Sequence, residues 1–508
     1  MKHKLLQSRI LAILLCLACT ASISAYDFEI NNIYYGLYQG EVYVTYKDNS
    51  YNSYSGDVVI PSTVVYNSVE YPVSYIGSRA FYKCSELASV SIPNSVSIIK
   101  SEAFTDCTNL TYVSIPNTVS EIAAAAFKGC SSLNHVTLPD ALQTLSGGSF
   151  EDCTSLTSIY IPASVTYIGG NPFINSYSLE RIIVSPSNLK YDSRENCNAI
   201  IETASNTIQA GCYNTVIPGS VKHIAREAFR GQSKLTSINL PNSILSIAQF
   251  AFEDCSSLTS ITIPDSIKVL EGRAFGHCGS LTSINLPETL DSIGIGAFVG
   301  CYSLPSVHLP NSITGLGSQI FFTCNKLESC NIPTGVTEIP SEMFYNTTRL
   351  NNVVIPNNVK KIGSRAYDNC VQLTNVTIGS DMENIDYGAF RTATQLRVVK
   401  CKAVMPPSLK STSFYTDVYR LGTLYVRKNS VEAYKQAEYW QDFQNIVGVD
   451  FPVDVNGDGM MSIQDVVAFI DLLLMDKPFT DLELDANGDG VVGIGDVTEI
   501  IDMLLRAE

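Results

Sequence analysis

Phenylalanine recurs every 23 residues along most of this chain. Phe81, Phe104, Phe127, Phe150 and Phe173 form one run. Phe229, Phe252, Phe275, Phe298, Phe321 and Phe344 form a second, and Tyr367 and Phe390 carry it on. A fixed period of this length marks stacked supersecondary units, each too small to hide its own apolar face. The chain's 508 residues exceed what one ordinary core accommodates, and a solenoid escapes that limit by growing along one axis.

The stretch Leu110 to Leu133 shows the physics of one unit. Val113 and Ile115 alternate with Tyr112 and Ser114, the period of a half-buried strand. Pro116 ends it, because proline lacks the donor that a sheet ladder needs. Val119, Ile122, Ala126, Phe127, Cys130 and Leu133 then supply the inward side chains, with a single helical turn expected over Glu121–Phe127. The period breaks once: Phe173 and Phe229 are 56 residues apart, one repeat plus a further 33, which predicts an enlarged repeat over about 174–217 carrying a hairpin. Both ends of such a stack need covering. Residues 26–75, with eleven tyrosines and the alternating run Glu41–Tyr46, predict a β cap, and residues 401–449 a second cap. In the second, Leu424–Val426 reads as a strand and Val431–Trp440 as a short helix.

Nine cysteines sit three residues after the periodic aromatics, from Cys84 to Cys370, and read as a packing ladder of free thiols. Cys197 and Cys212 fall outside it. They face each other if Asn198–Glu202 pairs with Thr207–Gly211 across a turn at Ala204–Ser205, and a one-residue slip separates them. A disulfide and two free thiols both remain open there.

Lys2, Lys4 and Arg9 precede an apolar run from Ile10 to Ala21 and small residues at Ser22, Ser24 and Ala25, the pattern of a secretory signal over 1–25. No later segment is apolar for long enough to span a bilayer. The net charge is −16, and residues 450–508 hold fourteen Asp and Glu against Lys477 and Arg506. Such a balance speaks against nucleic acid as a partner, and the acidic excess over 450–508 asks for a local cause, of which divalent cations are one.

Two loops there answer. Asp454, Asn456, Asp458, Met460, Ser462 and Asp465 stand at positions 1, 3, 5, 7, 9 and 12 of one. Asp485, Asn487, Asp489, Val491 and Asp496 repeat the pattern 31 residues later, with Gly493 giving no side-chain ligand at position 9. Alternate oxygen side chains, a backbone carbonyl at position 7 and a tight glycine turn are what calcium needs, so two calcium ions are expected. Helices are expected over Val466–Leu474 and Val497–Leu505.

The repeat pattern resembles the BspA-like leucine-rich repeats, most closely where Ile263-Pro264 leads to Ala274-Phe275, Cys278 and Leu281. The paired loops resemble a type I dockerin, in which position 12 is also Asp. Together the two resemblances imply a β-rich α/β solenoid of 23-residue leucine-rich repeats over 76–400, with β caps at both ends. A small all-α calcium-binding domain is implied over 450–508. The first resemblance implies a secreted or cell-surface binding protein of the adhesin kind, with a host or bacterial surface protein or a glycan as partner. The second implies docking to a cohesin-like domain, and hence the alternative of a non-catalytic component in a polysaccharide-degrading assembly.

No residue set points to a reaction. His135, His223, His277 and His308 fall at different repeat phases and form no metal-ligand pair. Asp152, Glu253 and Asp254 read as solvated surface carboxylates. The candidate ligand surface is the outward side of the sheet, where Tyr112, His135 and Tyr160 come from three successive repeats. A soluble sheet face of good strand formers and an aromatic patch for a ligand are both readings of it.

Overall fold

The computed structural model describes residues 25–449, 451, 455–456, 462–474 and 492–506. The leader expected over 1–25 lies outside them but for Ala25. The chain divides into two units, through Thr215 and from Val216.

In the first unit, Phe28–Ile30, Ile33–Tyr38 and Glu41–Thr45 form an antiparallel meander whose last strand pairs in parallel with Val69–Ile76. Short parallel strands then follow one per repeat: Ile98–Ile99, Glu121–Ile122, Thr144–Ser146 and Tyr167–Gly169. A second face is built by Gly56–Val59, Leu87–Ser91 and Tyr112–Ser114, and further along by Ser158–Ile161 with Arg181–Val184. Tyr191–Asp192, Ala199–Glu202 and Thr207–Gly211 pair antiparallel as the insert of the enlarged repeat.

The second unit repeats the plan. His223–Ile224, Ser246–Ile247, Val269–Leu270, Ser292–Ile293 and Gly315–Leu316 make one parallel face. Asn352–Val354, Asn375–Ile378, Val398–Cys401, Thr423–Arg427 and Asn445–Val449 make a five-stranded sheet towards the end. There Trp440 is fully buried and its indole donates to the Pro407 carbonyl at 2.7 Å.

The aromatic period becomes a stack in each unit. Phe81, Phe104 and Phe127 pack ring on ring at 4.7 and 4.9 Å, and Phe252 and Phe275 at 5.3 Å with planes 2° apart. Phe390 and Phe414 close the second stack at 5.1 Å. All these rings are buried.

The expected helical turn beside each ring does not form, so the repeats are a β-solenoid and not an α/β one. Residues two before and two after the phenylalanine are left-handed: Arg79 and Lys83 around Phe81, Glu102 and Asp106 around Phe104, Arg273 and His277 around Phe275. Left-handed backbone cannot continue a right-handed helix. Its cost is offset by a hydrogen-bond ladder to the next repeat. Arg79, Phe81 and Lys83 donate to the carbonyls of Ser101, Ala103 and Thr105 at 3.2, 2.7 and 2.8 Å. Glycine takes the first left-handed position at Gly148, Gly296 and Gly388, where it meets no Cβ penalty.

The cysteine ladder does more than fill space. From Cys107 onward each ladder thiol donates to the carbonyl of the aromatic residue one repeat back: Cys107 to Phe81 at 2.9 Å, Cys130 to Phe104 at 3.2 Å, Cys278 to Phe252 at 3.2 Å. That carbonyl also accepts the backbone N–H three residues on, so both of its lone pairs are used. At two positions without cysteine another small donor stands in: Ser176 to Phe150 at 2.7 Å and Thr347 to Phe321 at 3.1 Å. Burial pushes the Cys324 thiol up to about 12 and raises that of Cys278 well above its usual value, so these two sulfurs keep their protons. Cys278→Ser is therefore expected to cost less than about 1 kcal/mol, since the donor survives. Cys278→Val, which removes the donor and adds bulk, is expected to cost about 2–3 kcal/mol. Equal urea midpoints for the two variants would mean that the thiol hydrogen bond carries no weight.

Every cysteine among the described residues is free. Of the two alternatives left open at Cys197 and Cys212, the structure has the thiols. A bulge between Ile200 and Ile201 shifts the hairpin register, so Ala199 faces Gly211 and the cysteines are not opposite one another. The Cys212 sulfur donates to the Glu180 and Asn198 carbonyls, both at 3.4 Å.

Candidate functional site

Two regions hold the residues singled out by sequence: the outward sheet face and the acidic tail.

On the sheet, strand alternation turns Val113 and Ile159 inward and leaves Tyr112 and Tyr160 at 56% and 48% exposure. Tyr112 is in register with Ser89, and Tyr160 with Ile183. Tyr112 and His135 hold the same phase of successive repeats, whereas Tyr160 stands two residues further along its repeat. The three residues therefore make a diagonal and not one row. His135 Nε2 lies 3.3 Å from the Thr137 hydroxyl, and both are exposed. The residues at this phase, 134–138, carry no strand of their own, so the face is interrupted there.

The turn side of the repeats carries paired charges. Arg79 meets Glu102 at 2.9 Å and Lys128 meets Glu151 at 2.9 Å, each pair one repeat apart. Glu253 is not a solvated carboxylate. It is 2% exposed, held by Arg230 at 2.9 Å and by Arg273 at 3.2 Å. Asp368 is likewise buried between Arg365 and Arg391, with Thr392 donating to it at 2.6 Å. These ion pairs brace neighbouring coils. Among the described residues no group of three or more His, Cys, Asp or Glu side chains converges as metal ligands would.

In the tail, two helices span Ile463–Leu474 and Ile494–Arg506, beginning three residues earlier than expected. Val466, Phe469, Val497 and Ile500 form their common core. Asp465 and Asp496, the expected twelfth loop positions, are fully buried in the first helical turns. Asp465 accepts the Ser462 N–H at 2.7 Å, and the Ser462 hydroxyl accepts the Gln464 N–H at 3.3 Å. This is a variant of the capping box, with the hydroxyl on the N–H two residues on instead of three, and its signature is the spacing Ser462-Ile-Gln-Asp465. The other Asp465 oxygen reaches back to the loop's start, accepting the N–H groups of Val455 and Asn456 at 2.9 and 3.2 Å. Asp496 accepts the Gly493 N–H at 2.7 Å in the same way. So Asn456, Ser462 and Asp465 come together around one turn. Asp454, Asp458, Met460, Asp485, Asn487, Asp489 and Val491 lie outside the described residues.

Both helices keep an apolar stripe uncovered among the described residues. Ile463, Val467, Ile470 and Leu474 are exposed at spacings of four, three and four, and Ile494, Ile501 and Leu505 hold equivalent places on the second helix.

The repeat fold matches known proteins. A family model described as the BspA type leucine-rich repeat region matches in six copies, over residues 74–201, 208–294 and 270–397. A leucine-rich repeat protein from Bacteroides ovatus is 27% identical, with 84% of this chain and 100% of that one covered and a TM-score of 0.54. A leucine-rich cell surface protein from Faecalibacterium prausnitzii is also 27% identical, with 66% and 95% covered and a TM-score of 0.45. No curated protein matches the chain. Among the described residues no helix is long and apolar enough to cross a membrane.

Proposed function

The chain belongs to the BspA-type leucine-rich repeat family, and from that membership we propose that it is a non-catalytic binding protein working outside the cell. Its repeat sheet engages a surface protein or glycan, and its acidic tail holds two calcium ions and docks a partner. The observation that carries this reading is the pair of tail helices. Each opens on a buried aspartate that accepts an N–H three residues back, Asp465 also accepting those of Val455 and Asn456, and each leaves an apolar stripe exposed at matching positions. An all-oxygen donor set around such a loop suits a hard divalent cation. With Asp465 and Asp496 as the closing carboxylates, the cation would tie each loop to its helix. An exposed apolar stripe on a helix is the surface by which an amphipathic helix meets a partner.

A second reading follows from the same stripes. A tail that docks a cohesin-like domain would make the chain a non-catalytic member of a polysaccharide-degrading assembly, with the repeats as its recognition arm.

Pull-down with the intact chain tests the tail. Val467→Glu combined with Ile501→Glu is expected to weaken capture of the tail's partner by more than tenfold, since both changes put a charge into an apolar contact. The helices themselves should remain, because both positions are exposed. Undiminished capture by this double variant would remove the stripes from the docking surface.

A further inference from the structure

The one place where the 23-residue period fails is also where the sheet face gains depth. The inserted residues fold back as the hairpin Ala199–Glu202 and Thr207–Gly211, led in by residues 193–198. Between that lead-in and the strand Arg181–Val184 lies a cleft of about 400 Å³, within the range of small-ligand pockets. Arg181 and Ile183 of the strand line it together with Asn196, Asn198, Asn214 and Glu180. In direct register with Ile183, on the neighbouring strand, is the half-exposed Tyr160.

The chemistry of this lining is specific. Three carboxamides, a guanidinium and a carboxylate are planar groups that offer paired donors and acceptors. Vicinal hydroxyls on a ring present the matching pairs. The tyrosine ring on the neighbouring strand offers an apolar face with a polar tip.

The lining is held in place. Arg194 is clamped by Asp192 at 2.6 Å and donates to Asn206 at 2.9 Å. The Thr215 hydroxyl donates to the Asn198 carbonyl at 2.8 Å. Asn196 and Asn198 sit at φ 54°, a left-handed conformation that asparagine tolerates better than most residues and that lies outside the regular turn ladder. The strand edge is also blocked against an added peptide strand, because the Val184 N–H is already taken by the Ser193 hydroxyl at 3.0 Å. That favours a saccharide over an extended peptide.

We propose that this cleft is a saccharide subsite, in which ring hydroxyls pair with Asn196, Asn198, Asn214 and Arg181 while the apolar face of the sugar lies on Tyr160. It deepens the reading of the sheet as a binding surface and rests on it.

The test applies the intact secreted chain to a printed array of neutral and acidic oligosaccharides, then titrates the strongest binder by calorimetry. Tyr160→Ala and Asn214→Ala, both at exposed positions, are each expected to weaken binding at least tenfold with unchanged thermal unfolding. Tyr112→Ala, on the same face but away from the cleft, is expected to leave it unchanged. Retention of no oligosaccharide at millimolar concentration would overturn the proposal, as would binding that survives both cleft variants. If instead the repeats bind a protein, or a glycan whose affinity follows Tyr112, the cleft is refuted and the wider reading of the sheet stands. If the repeats bind neither, both are refuted.

Discussion

Phe275→Ala is expected to destabilise its repeat and the adjoining ones by about 3–5 kcal/mol, the range for emptying a fully buried phenylalanine site. Phe275 is wholly buried and stacks on Phe252 at 5.3 Å and Phe298 at 5.9 Å. Truncation loses the transfer energy of the ring and both stacking contacts. The backbone cannot collapse into the gap, because the N–H groups of Arg273, Phe275 and His277 are each tied to the next repeat, at 2.9, 2.9 and 2.6 Å. Phe322, half-buried and stacked on Tyr345 at 4.8 Å, provides the contrast. Phe322→Ala is expected to cost about 1 kcal/mol, the scale of one aromatic pair. In a stack where each repeat leans on its neighbours, the loss at Phe275 should also broaden the unfolding transition. Urea titration of the two variants beside the parent checks this. Equal costs at the two positions would deny the inner aromatic stack its part in holding the coils.

The inner stack was legible because its residues recur in identical phase. Phenylalanine and cysteine at fixed offsets identify what points inward. The turns beside them were not legible. Their left-handed positions are filled by Arg79, Glu102, Ala125, Phe250 and Gln319, residues with no common preference for that conformation. Only the ladder of hydrogen bonds to the neighbouring repeat imposes it. The burial of Glu253 was hidden for a related reason, since its partners Arg230 and Arg273 belong to other coils. The insert was visible as a break in period, but its cleft was not. Asn196, Asn198 and Asn214 meet beside Arg181 only after the hairpin has formed with its bulge. Asp465 was read as a metal ligand, and the structure adds its role as the acceptor of a helix cap.

Removing calcium is expected to melt the tail and spare the repeats. The shared core of the two tail helices consists of Val466, Phe469, Val497 and Ile500, with a few half-buried neighbours. So small a core does not hold two helices by itself. Two bound ions would supply the difference: at free calcium one hundred times the dissociation constant, each contributes about 2.7 kcal/mol. The repeats are expected to lack that dependence, because their buried carboxylates Glu253 and Asp368 are already paired with arginines. Amide hydrogen exchange on the intact chain, with calcium and after chelation, separates the two parts in one measurement. The account predicts that protection is lost over 463–474 and 494–506 while residues 76–400 keep theirs. Unchanged exchange in the tail helices, or an equal loss across the repeats, would contradict it.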